Sequence, residues 1–196
     1  MSIFTRGDQM RIISGTRRGR KLKEPRGLDI RPTSDIVKES IFNIIQFDIE
    51  GARVLDLFAG TGQLGIEALS RGARGAVFVD SKPEAARLIR ENLKMCGFED
   101  LAEVHTRDAL SYLKGGERFD LIFVDPPYDT PLIDKTLSRI IQFDKLNEHG
   151  IMICETKAEW PMPDCALPYV MQKQYRYGGV KIARYGRVAS GGARQE

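Results

Sequence analysis

The sequence predicts an α/β fold: a mostly parallel sheet of seven strands, helices on both faces, and an antiparallel hairpin at the C-terminal end. Three observations predict it. From residue 52 onward, short apolar runs alternate with segments whose apolar residues recur at helical spacing, the pattern of strand–helix units on a parallel sheet. The first apolar run leads directly into a glycine-rich turn, D-L-F-A-G-T-G-Q-L-G over residues 56–65. Near the end, two strand-like runs flank Gly178-Gly179, a hairpin signal.

The elements follow in order. Residues 1–9 show no periodicity and read as a disordered extension ahead of Met10. Residues 11–31 are basic, punctuated by glycines at 15, 19 and 27, and read as turns and short extended pieces. Ser34 and Asp35 offer a helix N-cap, and Ile36, Val37, Ile41, Ile44 and Ile45 follow at helical spacing to about Phe47. Strands are expected over 53–58, 76–80, 102–106, 119–124 and 150–155. The fourth of these is the most continuously apolar and so the most central. Helices are expected after the glycine turn to about Arg71, from Pro83, from Ala109, and over about 132–143. The Pro83 helix carries Ala85, Leu88, Ile89, Leu93 and Cys96 on one stripe. The hairpin strands are 169–177 and 180–185. The organisation reads as a basic extension and helix over 1–50, an α/β domain over 51–190, and a disordered tail over 191–196.

Length and composition exclude several classes. A chain of 196 residues is one domain with an appendage and can bury a full core. With 42% apolar and 29% charged residues it is neither fibrous nor disordered. No apolar run approaches the roughly 20 residues of a membrane helix. No signal-peptide core follows the N-terminus, so the expectation is a soluble, cytoplasmic protein. Cys96, Cys154 and Cys165 form no C-x-x-C pair and the two histidines are isolated, which argues against a disulfide framework and against a metal site.

The net charge of +3 conceals a polarised chain. Residues 11–31 carry eight Lys/Arg (Arg11, Arg17, Arg18, Arg20, Lys21, Lys23, Arg26, Arg31) against two acids, and residues 170–196 carry six against one. Residues 32–169 carry 15 basic and 23 acidic groups. Basic ends on an acidic body suit a polyanionic partner that touches one face.

Chemistry concentrates after the strands. Gly60, Gly62 and Gly65 fit G-x-G-x-x-G directly after a strand and opening a helix, the setting for a nucleotide or adenosyl ligand at the carboxyl end of a sheet. Asp80 ends the second strand, where a carboxylate can accept both ribose hydroxyls; capping the next helix is the plainer role, and both can hold. Asp108, after the third strand, suits an adenine amino group, with an N-cap role an equal rival.

The last motif is D-P-P-Y, Asp125 to Tyr128, after the fourth strand. Successive prolines end the ladder and hold a rigid extended turn. Such a turn presents the Asp125 carboxylate, the Pro126 carbonyl and the Tyr128 ring to one small volume. Two acceptors and an aromatic plate suit a planar base with an exocyclic amine. Holding the two amine hydrogens favours a pyramidal nitrogen and aims its lone pair at an electrophile. A charged acceptor strengthens such a bond to about 1.5–3 kcal/mol.

With these motifs in view, the chain resembles the class I S-adenosylmethionine-dependent methyltransferases. More closely, it is similar to the bacterial 16S rRNA (guanine-N2)-methyltransferase family of the RsmD type. The resemblance runs from Met10 to about Arg187. It is carried by R-I-I-S-G (11–15), R-G-R-K-L (18–22), I-R-P-T-S-D (30–35), the Leu55–Ala73 stretch, F-V-D-P-P-Y and the Tyr177-Gly178 hairpin. It implies a Rossmann-like fold and S-adenosyl-L-methionine as methyl donor. Asp56, Phe58, Gly60 and Gly62 would line the donor's methionine half, Asp80 and Ser81 its ribose, and Asp108 and Ala109 its adenine. Arg31, Pro32 and Thr33 match an element that closes over the donor. Asp125, Pro126, Pro127 and Tyr128 would hold the target guanine as catalytic residues. Arg11, Arg17, Arg18, Arg20, Lys21 and Arg31 would contact rRNA phosphates. The implied partner is 16S rRNA in the 30S subunit, the implied substrate a loop guanine, and no metal is required. A monomer is expected, because one basic face must dock on a large particle. Gln63 and Lys38-Glu39-Ser40 depart from the family pattern, which is commonly a small residue and R-E-A.

Other readings stay open on the residues alone. D-P-P-Y also serves adenine-N6 and protein glutamine methylation, although no DNA target-recognition domain fits in this length. An NAD-dependent hydride transfer would leave D-P-P-Y without a role. A non-catalytic ribosome-assembly protein could keep the fold without turnover.

Overall fold

The computed structural model describes residues 10–24, 35–127 and 132–188. Its elements are α1 (Asp35–Ile44), β1 (Arg53–Leu57), α2 (Gln63–Ser70), β2 (Gly75–Asp80), α3 (Pro83–Cys96), β3 (Ala102–Thr106), α4 (Ala109–Tyr112), β4 (Phe119–Val124), α5 (Leu132–Gln142), β5 (Leu146–Lys157), β6 (Tyr169–Tyr177) and β7 (Val180–Arg187). The expectations for residues 1–9, for the 189–196 tail, and for Arg31, Thr33 and Tyr128 lie outside the described residues.

The seven strands form one sheet in the order β3-β2-β1-β4-β5-β7-β6. β1 to β5 pair in parallel, and the β6–β7 hairpin adds antiparallel to β5. β4 occupies the middle, as its unbroken apolar run requires: Phe119 and Leu121 to Val124 are buried. The chain winds outward from β1 to β3, then crosses to β4 on the other side of β1. The strand order therefore reverses between β1 and β4, the place where open α/β sheets leave a crevice.

Strand alternation divides the core in two. Val54, Ala76, Phe78, Leu121 and Phe123 pack under α1, α2 and α3. Leu55, Leu57, Val77, Val79, Ile122 and Val124 pack under α4 and α5. Helices thus cover both faces, as the sequence pattern predicts.

Two boundaries differ from the sequence reading by more than two residues. α1 stops at Ile44 rather than near Phe47, and Phe47 is 92% exposed. Its spacing continues the stripe, but the helix has ended and the turn that follows buries Ile45 and Ile49 in the core instead. β5 begins at Leu146, four residues earlier than expected, because the β4–β5 register shifts between Phe119 and Leu121 and accommodates the extra chain.

Residues 10–24 form a small hairpin. Leu22 N–H donates to Met10 O at 2.8 Å, Ile12 N–H to Arg20 O at 2.9 Å, and Gly19 N–H to Ile12 O at 2.8 Å. Met10, Ile12 and Leu22 join the same buried cluster as α1 and α2. Buried polar side chains pin its backbone. Glu67 on α2 accepts from Ile13 N–H at 2.7 Å and Ser14 N–H at 2.9 Å. Ser70 Oγ donates to Ser14 O at 2.6 Å and accepts from Arg17 N–H at 3.0 Å. Lys38 on α1, wholly buried, donates to Arg11 O at 2.6 Å and lies 3.5 Å from Asp35; burial draws its pKa down. Asn92 on α3 accepts from Lys23 N–H at 2.7 Å and donates to Thr61 O at 3.2 Å, joining the hairpin to the glycine turn.

Candidate active site

The strand registers fix the layout of the site. Leu57 pairs with Val79 on one side and Val124 on the other, and Asp80 pairs with Thr106. Phe58, Asp80 and Asp125 therefore stand level at the ends of three neighbouring strands. With about 4.8 Å between strands, Asp80 and Asp125 lie about 10 Å apart, on either side of the β1 exit.

Between them runs the glycine turn. Phe58 takes a left-handed φ of 61°, and Gly60 and Gly62 follow at 54° and 76°. A non-glycine residue there is uncommon and marks a constrained turn. Ala59 N–H donates to Val79 O at 3.0 Å and Gly62 N–H to Ala59 O at 2.7 Å, which folds the turn back over β2. Gly65 has a different duty. A Cβ there would stand 2.3 Å from the Phe78 ring, so glycine lets α2 lie directly on β2.

The acids fall into two kinds. Asp80 Oδ2 accepts from Gly60 N–H at 2.9 Å, and its Oδ1 accepts from Lys82 N–H at 2.8 Å, so it fixes the turn and the entry to α3 together. It remains half-buried on the rim. Asp56 is buried beneath, at 2% exposure, with Oδ2 accepting from Gly65 N–H at 2.9 Å. Burial pushes its carboxyl up to about 7; the Gly65 bond opposes that shift and the Asp80 charge adds to it. Asp108 caps α4, its Oδ1 accepting from Ser111 N–H at 2.8 Å, so the capping role is realised while the residue stays exposed on the rim. Ala109 is buried behind it and Ser81 is exposed beside Asp80. After β4, Asp125 is half-buried, Pro126 buried and Pro127 exposed.

Asp56, Phe58, Gly60, Gly62, Asp80, Ser81, Asp108, Ala109 and Asp125 to Pro127 thus converge on the carboxyl end of the sheet. The basic residues do not join them. α3 starts at the rim, right after β2, and its 14 residues carry it about 21 Å away. Arg17 Nε donates to Cys96 O and Arg20 to Met95 O, each at 2.7 Å, at the far end of that helix. These cations occupy the carbonyl end of the helix dipole. Arg17 also covers the Phe98 ring at 5.4 Å. Arg18 and Lys21 are exposed, and Arg11 lies 3.5 Å from Asp35. A shallow concavity of about 730 Å³ lies here, lined by Thr16, Arg17, Arg18, Arg20, Lys94 and Met95.

Sequence reasoning missed the polar anchors Glu67, Ser70 and Asn92. Their signal is polar character on the inward stripes of two amphipathic helices. Among the described residues no group of His, Cys, Asp and Glu could hold a metal ion. No described helix is long and apolar enough to cross a membrane.

Comparison with known proteins agrees with this architecture. Residues 10–186 match the family model described as conserved hypothetical protein 95. The chain is 41% identical over 180 residues to YlbH of Bacillus subtilis, which carries a provisional rRNA methyltransferase name, covering 90% of this chain and 98% of that one. It is 34% identical to the ribosomal RNA small subunit methyltransferase D of Escherichia coli, covering 93% and 92%. The solved Escherichia coli yhhF structure, described provisionally as a methyltransferase, superposes with a TM-score of 0.84 at 34% identity, covering 93% of this chain and 99% of that one. The chain therefore belongs to the conserved hypothetical protein 95 family, that of the RsmD-type methyltransferases, and has their Rossmann-like class I fold.

Proposed function

We propose that this protein transfers a methyl group from S-adenosyl-L-methionine to the exocyclic N2 amine of a loop guanine in 16S rRNA of the small ribosomal subunit. One observation carries the reading. The strand registers set the Asp80 carboxylate and the Asp125-Pro126-Pro127 turn level on opposite sides of the Phe58–Gly62 turn. A donor-side acid and an acceptor-side acid thus flank one crevice at the strand-order reversal.

The residues fit the donor. The left-handed backbone at Gly60 and Gly62 gives a turn without side-chain bulk, and Asp80 offers carboxylate oxygens to ribose hydroxyls on its half-buried rim. Asp56, held near neutrality by burial, becomes a better anion when a cationic amino group approaches. The donor supplies a sulfonium-bound methyl group, and no metal is needed to activate it.

The chain's own residues prepare the acceptor. Asp125 and the Pro126 carbonyl accept the two amine hydrogens of the base and so orient the nitrogen lone pair. Pro126 and Pro127 fix those acceptors without spending strand hydrogen bonds. Asp125 orients rather than strips the amine, and the proton leaves to water after transfer. A loop guanine leaves its stack more readily than a paired one, which suits a small crevice. Arg18 and Lys21, with the remaining donors of Arg17 and Arg20, contact rRNA phosphates at a distance from the reacting base.

Labelled methyl transfer tests this reading. The acceptors are 30S subunits lacking the modification, naked 16S rRNA and duplex DNA, followed by nucleoside analysis. The expected product is N2-methylguanosine at one 16S position. N6-methyladenosine would overturn the substrate while keeping the amine chemistry. Tight donor binding with no labelled nucleic acid would move the acceptor to protein or leave the assembly role.

A further inference from the structure

The β6–β7 hairpin is a part of the family resemblance that the donor and acceptor sites do not use. Residues 169–187 hold five Lys/Arg and no acid. Its Gly178-Gly179 tip points the same way as the catalytic rim, because Tyr177 and Val180 pair level with Lys157 at the carboxyl end of β5. Val124 pairs with Cys154, Cys154 with Ala183, and Ala183 with Gln174. One step further along, Glu155 pairs with Ile182 and Ile182 with Tyr175. Tyr175 is therefore level with Asp125, three strand spacings or about 14 Å away.

A bulge decides which way Tyr175 faces. The β6–β7 register shifts between Met171 and Lys173, leaving Gln172 as the extra residue. Before the bulge, Tyr169 and Met171 pack on the α4/α5 side of the sheet. After it, Tyr177 packs on the α1 side, opposite Val180, and Ile182, the partner of Tyr175, is buried on that side too. One extra residue has turned Lys173, Tyr175 and Tyr177 to the other face. Tyr175 and Tyr177 lie nearly parallel there, with ring centroids 6.5 Å apart and planes 15° apart. That separation is about twice the ~3.4 Å step between stacked bases. Lys173 Nζ stands 5.1 Å over the Tyr175 ring and has no carboxylate partner among the described residues. β6 is an edge strand, and its bulge, Lys173 and Arg176 discourage addition of another strand.

We propose that Tyr175 and Tyr177, with Lys173, form a stacking site for a single-stranded rRNA nucleotide flanking the target base. Every base has a π-face, so the rings bind without regard to sequence, and Lys173 meets the phosphate. The distance to Asp125 is one that a few unstacked nucleotides span, so the site holds the strand while the target enters the crevice. This inference rests on the rRNA reading above.

The test measures affinity for unmodified 30S subunits and 16S rRNA, KM for each, and donor affinity. It uses the full chain and Tyr175→Ala, Tyr175→Leu, Tyr175→Phe and Lys173→Ala. Tyr175→Ala and Tyr175→Leu should each weaken RNA binding and raise the RNA KM about 10-fold, with donor affinity unchanged. Tyr175→Phe keeps the ring and should match the parent. Lys173→Ala should lower the salt dependence of binding by about one phosphate contact. Leucine preserves apolar bulk, so equal loss in both variants with an unchanged melting temperature identifies stacking. RNA affinity within twofold of the parent in Tyr175→Leu, while the parent methylates rRNA, overturns this inference alone. A parent that binds donor but methylates no rRNA acceptor overturns the functional reading and this inference with it.

Discussion

The acidic rim and the basic N-terminal hairpin are both charged, glycine-punctuated segments, yet Asp80 at the rim holds backbone beside itself while the hairpin's arginines hold a helix end distant in sequence. At the rim, Asp80 and Asp125 stay half-buried at the mouth of a crevice. In the hairpin, Arg17 and Arg20 give donors to the last carbonyls of α3, and Glu67, Ser70, Lys38 and Asn92 are spent on its backbone. Arg17 and Arg20 stand about a helix length from the rim, at the far end of α3, while the Lys23 end of the hairpin reaches the glycine turn through Asn92. Charge in a sequence announces a polar surface; only the neighbours decide whether that charge is structural or available.

Substitutions can break this contrast. The largest effect is expected at Asp125. Asp125→Ala should lower single-turnover methyl transfer about 10³-fold, since one charged acceptor at the reacting amine is lost. Donor affinity by calorimetry should stay within about twofold. A matching loss of donor affinity would erase the division between the two acids.

Glu67→Ala should have the largest effect on stability. It strips an acceptor from Ile13 N–H, Ser14 N–H and Arg71, all against a side chain 1% exposed. The expected cost is about 3 kcal/mol in denaturant unfolding. A change below about 1 kcal/mol would mean that the hairpin is held by Met10, Ile12 and Leu22 alone.

Asp80→Ala should weaken donor binding about 10- to 100-fold, with methyl transfer at saturating donor nearly intact. Part of that loss is the freed Gly60 N–H, so the turn itself loosens.

The smallest effect is a pH dependence set by Asp56. Its folded pKa of about 7 lies above the ordinary aspartate value of 3.8, so its favourable contribution to stability is complete below about pH 4 and fades as pH rises through 7. Donor affinity should run the other way, rising between pH 6 and 8 as the anion forms, and Asp56→Asn should flatten both profiles. A flat parent profile would show that Asp56 does not titrate in this range.

Much of this was legible beforehand. The strand–helix alternation, the central place of β4 and the closing hairpin follow from apolar periodicity and turn chemistry, which are local. The acids at the ends of β2, β3 and β4 were legible for the same reason, since strand ends in a parallel sheet share one rim. The role of Arg17 and Arg20 as helix-end caps was not legible, because it depends on Met95 and Cys96, more than 70 residues away in sequence. The early start of β5 was hidden by Asn147, Glu148 and His149, polar residues that the register shift leaves between the paired positions Leu146 and Ile151.

The sequence by itself determined the sheet, its winding and the row of acids along its carboxyl edge, because period, glycine and proline act within a few residues of themselves. Tertiary structure alone decided three things: that Asp56 is buried to the point of titrating near neutrality, that half the basic hairpin serves the fold, and that one bulged residue in β6 turns two tyrosines to the α1 face. Each depends on a partner distant in sequence, through burial, a hydrogen bond or a strand register. Such contacts come into being only when the chain has closed.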